Sequence, residues 1–267
     1  MRRLSTRVLS VIALLGVSAC GSVDRDQNSN SGPRSVEPTS ALTSLASTTT
    51  VVVVKSLLQS LPIDIAQIDW ALVMQHSDLY TGGTPIADFG FLDGEGTENE
   101  RRNPQPTFHV PLGTPVLAPI DGMVSEVKML YSGDYTIMFV GSSGDRSIAW
   151  ETEHVEAVLV NPGDVVRAGQ PVASVSNYLC TYSKKQFGND SYCGLGIGLV
   201  ELGYLVGGAV PRHYCPFGTL TDPTAIGRIE SELSNARSAI EQLAGKRLFD
   251  TENWATPNCI IDEPIEG

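Results

Sequence analysis

Short hydrophobic runs separated by turn-forming residues dominate the chain from about residue 106 to residue 205. Several runs alternate apolar and polar side chains over about four to eight residues, which is typical of half-buried β-strands. The runs are PVLAPI, GMVSEVKML, YTIMFVG, SIAWETEHV, AVLV, QPVASV and LGIGLVEL. Between them stand turn sequences such as SGD at 132–134 and NPGD at 161–164. The pattern predicts a mainly β, antiparallel body over these residues.

A helical periodicity follows this region. Apolar residues at spacings of three and four predict a C-terminal amphipathic helix, which Asp222-Pro223 would begin and Gly245 would end. The apolar positions are Ile226, Ile229, Leu233, Ala236, Ile240 and Leu243. We expect this stripe to pack on the domain; a helix that binds a partner is the alternative. Residues 226–267 thus form a helix and a tail.

The first twenty residues resemble a bacterial lipoprotein signal. A basic start precedes the apolar run Val8–Val17, and small residues precede Cys20. The apolar run is about half of the roughly 20 residues that a spanning helix needs. The resemblance implies that residues 1–19 are removed and that Cys20 carries the lipid (palmitate) at the extracytoplasmic face of the cell membrane. An ordinary secretory signal with a chance cysteine is the alternative.

Polar and small residues follow this signal. Residues 20–50 are rich in Ser, Thr, Asn and Pro, which predicts a flexible stalk. Residues 51–84 form a lead-in to the domain, and the mixed apolar spacing in 57–76 predicts one short helix.

The net charge limits the class of partner. The chain has 18 basic and 30 acidic residues, and loss of residues 1–19 leaves 15 against 30, a net charge of −15. Such a charge disfavours nucleic acid and disfavours bulk attraction to anionic lipid or wall polymers. Contact with the cell wall would therefore need a shaped groove.

Four cysteines remain beside Cys20: Cys180, Cys193, Cys215 and Cys259. In an exported chain they most simply form two disulfides, and the sequence leaves three pairings open. We favour Cys180 with Cys193 and Cys215 with Cys259. A structural zinc site is the alternative, although no C-x-x-C spacing is present.

Three motifs resemble the LytM/lysostaphin-type peptidoglycan endopeptidases: GTPVLAPIDGMV at 113–124, EHV at 153–155 and VNPGDVVRAGQPVASV at 160–175. The resemblance covers roughly residues 85–225 and implies a domain there with an antiparallel β-sheet core of the duplicated hybrid motif class. Biotinyl and lipoyl carrier domains share the G-D-x-V-x-x-G-Q run, but they need a lysine at a hairpin tip. Lys128 instead lies within a strand-like run.

In that family, zinc is held by a histidine, an aspartate and the second histidine of a late H-x-H motif. The matching positions here are Asn103, Thr107 and Leu199, and Ile197 replaces the first histidine of the H-x-H. Only His154 matches a catalytic residue. The resemblance therefore implies a domain without a metal or other cofactor, and favours a protein that is not an enzyme.

Relocated ligands are the alternative. Residues two apart on a strand share a face, so His109 would point with Thr107 and Glu201 with Leu199. His109, His154 and Glu201 could then line the groove, or hold zinc in an active endopeptidase. Each shift moves a ligand by about 6.5 Å, however, whereas zinc ligands must be placed within about 0.2 Å. More distant candidates are His76, Asp88 and His213.

The acidic run Phe91–Glu100 could bind calcium, but its acids do not follow an EF-hand pattern. We interpret it as a solvated loop near the groove mouth. The sequence as a whole favours a lipid-anchored envelope protein whose groove binds peptidoglycan or a cell-wall hydrolase. An active zinc endopeptidase and a purely structural lipoprotein are the alternatives.

Overall fold

A computed structural model describes residues 56–94, 96–98, 100–207 and 210–266 of the chain. The predicted signal peptide, the lipidated Cys20 and the stalk (20–50) lie outside these residues and stay predictions. Within the described ranges, no helix is long and apolar enough to cross a membrane.

Antiparallel strands build the described part of the chain. They are β1 (Ile86–Ala87), β2 (Leu92–Asp93), β3 (Arg101–Arg102), β4 (Thr107–Pro111), β5 (Pro115–Leu117), β6 (Gly122–Met129), β7 (Tyr135–Val140), β8 (Ile148–Glu156), β9 (Val165–Val166), β10 (Pro171–Val175), β11 (Ile197–Val206), β12 (Arg212–His213) and β13 (Ile265–Glu266). The predicted mainly β, antiparallel fold class is confirmed.

The large sheet has the order β1-β4-β11-β8-β7-β6-β9, while β10 pairs with β5 and β8 and β12 pairs with β11 and β13. Strands β2 and β3 form a separate hairpin. The long strand β11 lies between β4 and β8, and most of its residues are buried. Its near-continuous apolar sequence fits a strand that is covered on both faces.

Gly198 allows a neighbouring segment of the chain to lie very close to β11. A Cβ atom at this position would lie 2.3 Å from the carbonyl oxygen of Ser176, too close for any side chain. The segment that follows β10 can therefore lie directly against β11, where Ser176 forms a β-bridge with Leu199.

In the described ranges, three α-helices accompany the strands: α1 (Trp70–Met74), α2 (Tyr178–Phe187) and α3 (Ile226–Ala244). Helix α3 ends at Gly245 in the left-handed conformation, as predicted. The regular helix begins at Ile226, three residues after the predicted Pro223, but Asp222 caps the turn before it. The Asp222 carboxylate accepts a hydrogen bond from the Thr224 amide (2.8 Å), and its carbonyl accepts one from the Ile226 amide (2.9 Å). Four stripe positions pack into the core, whereas Leu243 is 49% exposed.

Two further expectations for the β region are wrong. Helix α2 interrupts it where no helix was predicted. The run AVLV (157–160) is not a strand, because Ala157 takes a positive φ of 48° and ends β8. The turn at NPGD forms as predicted, with the Asp164 amide donating to the Asn161 carbonyl (3.0 Å).

Two disulfides connect the segments that surround the sheet. Cys180 pairs with Cys193 and Cys215 pairs with Cys259, which confirms the favoured pairing. The first fixes α2 to the loop that follows it, and the second fixes the C-terminal tail to the segment after β12.

Candidate functional site

A groove of about 400 Å³ opens over the face of the β4–β11 pair. Helix α2 forms one wall, and the β2–β3 hairpin with its flanking residues forms the other. Its lining residues include Phe91, Asp93, Arg101, Asn103, Thr107, His109, Tyr178, Tyr182, Tyr192, Leu199 and Glu201. Phe91 and Asp93, at the start of the acidic run, thus form part of the groove wall.

The three residues that the sequence motifs align with the family's zinc ligands meet in this groove, but their side chains do not fit zinc. Asn103, Thr107 and Leu199 all line it, and the Asn103 amide donates to the Thr107 hydroxyl (3.1 Å). An amide, an un-ionised hydroxyl and an alkyl group are not the imidazole, thiolate and carboxylate ligands that hold zinc in proteins. These three side chains therefore do not supply a zinc site.

His109 lies in the groove but is engaged elsewhere. Its Nδ1 atom is 3.2 Å from the carbonyl oxygen of Pro85, and its ring lies 4.5 Å from the Tyr80 ring, centroid to centroid. Burial lowers the pKa of His109 to about 4, so that the imidazole is neutral at neutral pH. The ring is held in place as part of the groove floor.

A β-bulge aims His154 at the same face as Glu153. Tyr135 faces Val155 and Ile137 faces Thr152, so that β8 carries one extra residue at this point. His154 itself takes a positive φ of 61°, a costly conformation for a residue with a side chain. Neighbouring residues on a regular strand would point to opposite faces.

One edge and one face of the His154 ring are constrained. Its Nδ1 atom lies 3.0 Å from Asp134 Oδ2, and its ring stacks on Tyr178 with centroids 3.5 Å apart. Burial works against ionisation of Asp134, but hydrogen bonds from His154, Ser132 and Ser176 outweigh it and hold the pKa of this carboxyl below its usual range. Asp134 is therefore a carboxylate that orients the imidazole.

Three glutamates lie on the β8–β11 pair near His154, and Glu201 among them lines the groove. Glu201 is directly opposite both Thr107 and Glu153, and opposite residues of a sheet point to the same face. Burial and repulsion from Glu151 and Glu201 raise the pKa of Glu153 to about 10. Burial also raises the pKa of Glu151, which accepts a hydrogen bond from Thr136 (2.8 Å).

The structure brings together only part of the residues singled out in the sequence. His154 and Glu201 approach each other, with Nε2 3.8 Å from Oε2. Among the described residues, the group that could hold a metal is Glu153, His154 and Glu201, without His109. Asp88 binds Arg237 at a different place, and neither His76 nor His213 joins the group.

Glu153 and Asp134 are the site residues that sequence reasoning missed. Alternation in WETEHV places Glu151 and Glu153 on one face, which was an available signal. The same alternation puts His154 on the opposite face, so that the bulge was needed to join them. Asp134 ends the predicted SGD turn, and nothing in the sequence spacing indicates that it contacts His154.

Residues 106–186 match the model of Peptidase family M23. Among solved structures, lysostaphin is 18% identical over 55% of this chain and 49% of its own, with a TM-score of 0.35. A catalytic-domain variant of the prophage-encoded M23 protein EnpA from Enterococcus faecalis is 21% identical over 50% of this chain and 90% of its own, also with a TM-score of 0.35. A zinc-containing peptidase from Vibrio cholerae is 18% identical over 57% of this chain and 37% of its own, with a TM-score of 0.35.

The chain spans about half of the length of lysostaphin, 49%. The comparison with curated proteins found no match. The matched residues run from the start of β4 into α2 and include Asp134, Glu153 and His154. Residues 106–186 therefore resemble Peptidase family M23, and this similarity covers the segment from β4 into α2.

Proposed function

We propose that this protein is a non-catalytic M23-type protein that binds peptidoglycan through its groove while Cys20 anchors it at the extracytoplasmic face of the membrane. The observation that carries the proposal is the replacement of the three zinc-ligand positions by Asn103, Thr107 and Leu199 within an otherwise formed groove. Without a metal there, no Lewis acid is available at the family position to activate water.

The groove is suited to a polymer of sugar and peptide. Tyr178, Tyr182 and Tyr192 supply aromatic surfaces with polar ends, and Arg101 supplies a cation for a peptide carboxylate. A volume of about 400 Å³ takes a short segment of polymer rather than a folded domain. The net charge of the chain favours such local recognition over general attraction to the wall.

Co-sedimentation of the full chain with purified peptidoglycan sacculi tests this proposal. We expect the chain to sediment with sacculi, and Tyr182→Ala or Arg101→Ala to weaken its binding by about tenfold, equivalent to the loss of about 1.4 kcal/mol. Arg167→Ala is the matched control, because Arg167 is exposed and lies outside the groove. A wild-type chain that stays in solution, or groove variants that bind like wild type, would contradict the proposal.

The alternative role is regulation of a cell-wall hydrolase through the same groove. Retention by an immobilised hydrolase in the absence of sacculi would favour it over direct wall binding. An active endopeptidase that holds zinc through His109, His154 and Glu201 has weaker support, because the His109 imidazole is directed at Pro85.

A further inference from the structure

Glu153, His154 and Glu201 direct potential metal ligands at one point. One ligand atom from each residue lies within 4.8 Å of the other two. The separation of His154 Nε2 from Glu201 Oε2, 3.8 Å, is too long for a hydrogen bond. Within the described part of the chain, Nε2 makes no hydrogen bond, although the side chain of His154 is only 7% exposed.

The surroundings of His154 match those of a metal-binding histidine. Asp134 accepts a hydrogen bond from Nδ1 and thereby leaves the lone pair on Nε2, which faces Glu201. Ser132 and Ser176 donate to Asp134 and fix it in turn. A carboxylate behind the imidazole is the usual support of a histidine that binds a metal.

Glu201 is supported in a similar way. Its Oε1 atom lies 3.3 Å from the Thr107 hydroxyl, which leaves Oε2 on the side of His154. Each of the two carboxylate oxygens thus has a separate neighbour. Thr107, which stands at the position of the family's aspartate, therefore helps to orient Glu201.

The carboxyl groups beside His154 are also suited to a cation. Glu153 and Glu201 each place an oxygen atom within 4.8 Å of a ligand nitrogen of His154, and Asp134 accepts a hydrogen bond from its Nδ1 atom. Within the described part of the chain, His154 makes an ion-pair contact with Glu201, with Nε2 3.8 Å from Oε2. A bound divalent cation would neutralise two carboxylates and occupy the unpartnered Nε2 atom.

We propose that Glu153, His154 and Glu201 bind a divalent transition-metal ion of the Zn²⁺ class. The site lies on the β8–β11 pair, whereas the family ligand positions lie on β4, on β11 and just before β4. One imidazole and two carboxylates are ligands that zinc accepts, and three protein ligands leave a fourth position open. The inference does not depend on peptidoglycan binding.

Zinc titration of the untagged full chain, first stripped with EDTA, tests this site by calorimetry and by metal analysis after dialysis. We expect wild type to retain one ion per chain. Glu153→Gln and Glu201→Gln should each weaken binding by more than about 100-fold, and Asp134→Asn, which loses only the support of His154, by about 10–100-fold. Glu156→Gln is the matched control, because Glu156 is exposed on the same strand.

Thermal melting separates loss of the site from loss of the fold. Glu153→Gln and Glu201→Gln keep the side-chain shape at positions where burial disfavours an ionised carboxyl, so that in EDTA they should melt at or above the wild-type temperature. Zinc should raise the melting temperature of wild type and of Glu156→Gln, but not that of Glu201→Gln.

A wild-type chain that binds neither Zn²⁺ nor Co²⁺ would overturn the inference. Undiminished zinc affinity in Glu153→Gln and Glu201→Gln would place the ion elsewhere and overturn it as well. Zinc binding without retention on sacculi would support this metal site and reject the proposed function. Retention on sacculi without zinc binding would reject the metal site and support the proposed function.

Discussion

Replacing both Cys215 and Cys259 by serine is expected to lower the free energy of unfolding by about 4 kcal/mol. The bond joins residues 44 positions apart, and a longer closed loop restricts the unfolded chain more. Cys259 is fully buried beside Phe89, with which it forms a β-bridge, so that the C-terminal tail would also lose its attachment to the core. Urea unfolding under non-reducing conditions measures the change.

The second disulfide provides the matched comparison. Cys180 and Cys193 are only 13 positions apart, and serine at both should cost about 3 kcal/mol in the same chain-entropy description. The loss should centre on α2 and the groove wall that it forms. A larger cost for this pair than for Cys215 and Cys259 would contradict the expectation.

Asp88→Ala is expected to destabilise the fold by about 3–5 kcal/mol, because it leaves the charge of Arg237 buried and unpaired. Arg237 Nη2 lies 2.6 Å from Asp88 Oδ1, and each side chain is 7% exposed. A second nitrogen of Arg237 donates to the Asn258 side chain (2.6 Å), which connects α3 to the C-terminal tail. Chemical denaturation measured by far-UV circular dichroism checks the value.

An exposed ion pair on the same helix is the control. Glu232→Ala removes the contact with Arg228, whose side chain is 50% exposed, and should cost less than about 1 kcal/mol. Replacing both members of the buried pair, Asp88→Leu with Arg237→Met, should cost less than Asp88→Ala alone. Equal losses for Asp88→Ala and Glu232→Ala would show that the buried pair has no special weight.

The fold was predictable wherever local pattern and packing agree. Alternation located β6, β7 and β8, and turn chemistry located the reversal at NPGD, because both depend on neighbouring residues. Helix α2 was missed because Tyr178, Thr181 and Tyr182 have strand-like propensities, and its position depends on stacking with His154 and on the Cys180–Cys193 bond.

The site was only partly predictable for a related reason. The spacing of the family motifs placed Asn103, Thr107 and Leu199, and the structure brings all three into one groove. The proximity of Glu153 to His154 depends on a bulge and on a positive φ at His154, which no alternation of residues encodes. Register between β11 and β8 then adds Glu201.

The most direct test asks whether the M23-like domain can hydrolyse peptidoglycan. Sacculi are incubated with the full chain and added zinc, and the release of soluble fragments is measured. We predict no release above a protein-free control, while a hydrolase active on the same sacculi solubilises them. Fragment release by wild type that is lost in both His154→Ala and Glu201→Gln would contradict this account and identify the chain as a metallopeptidase with relocated ligands.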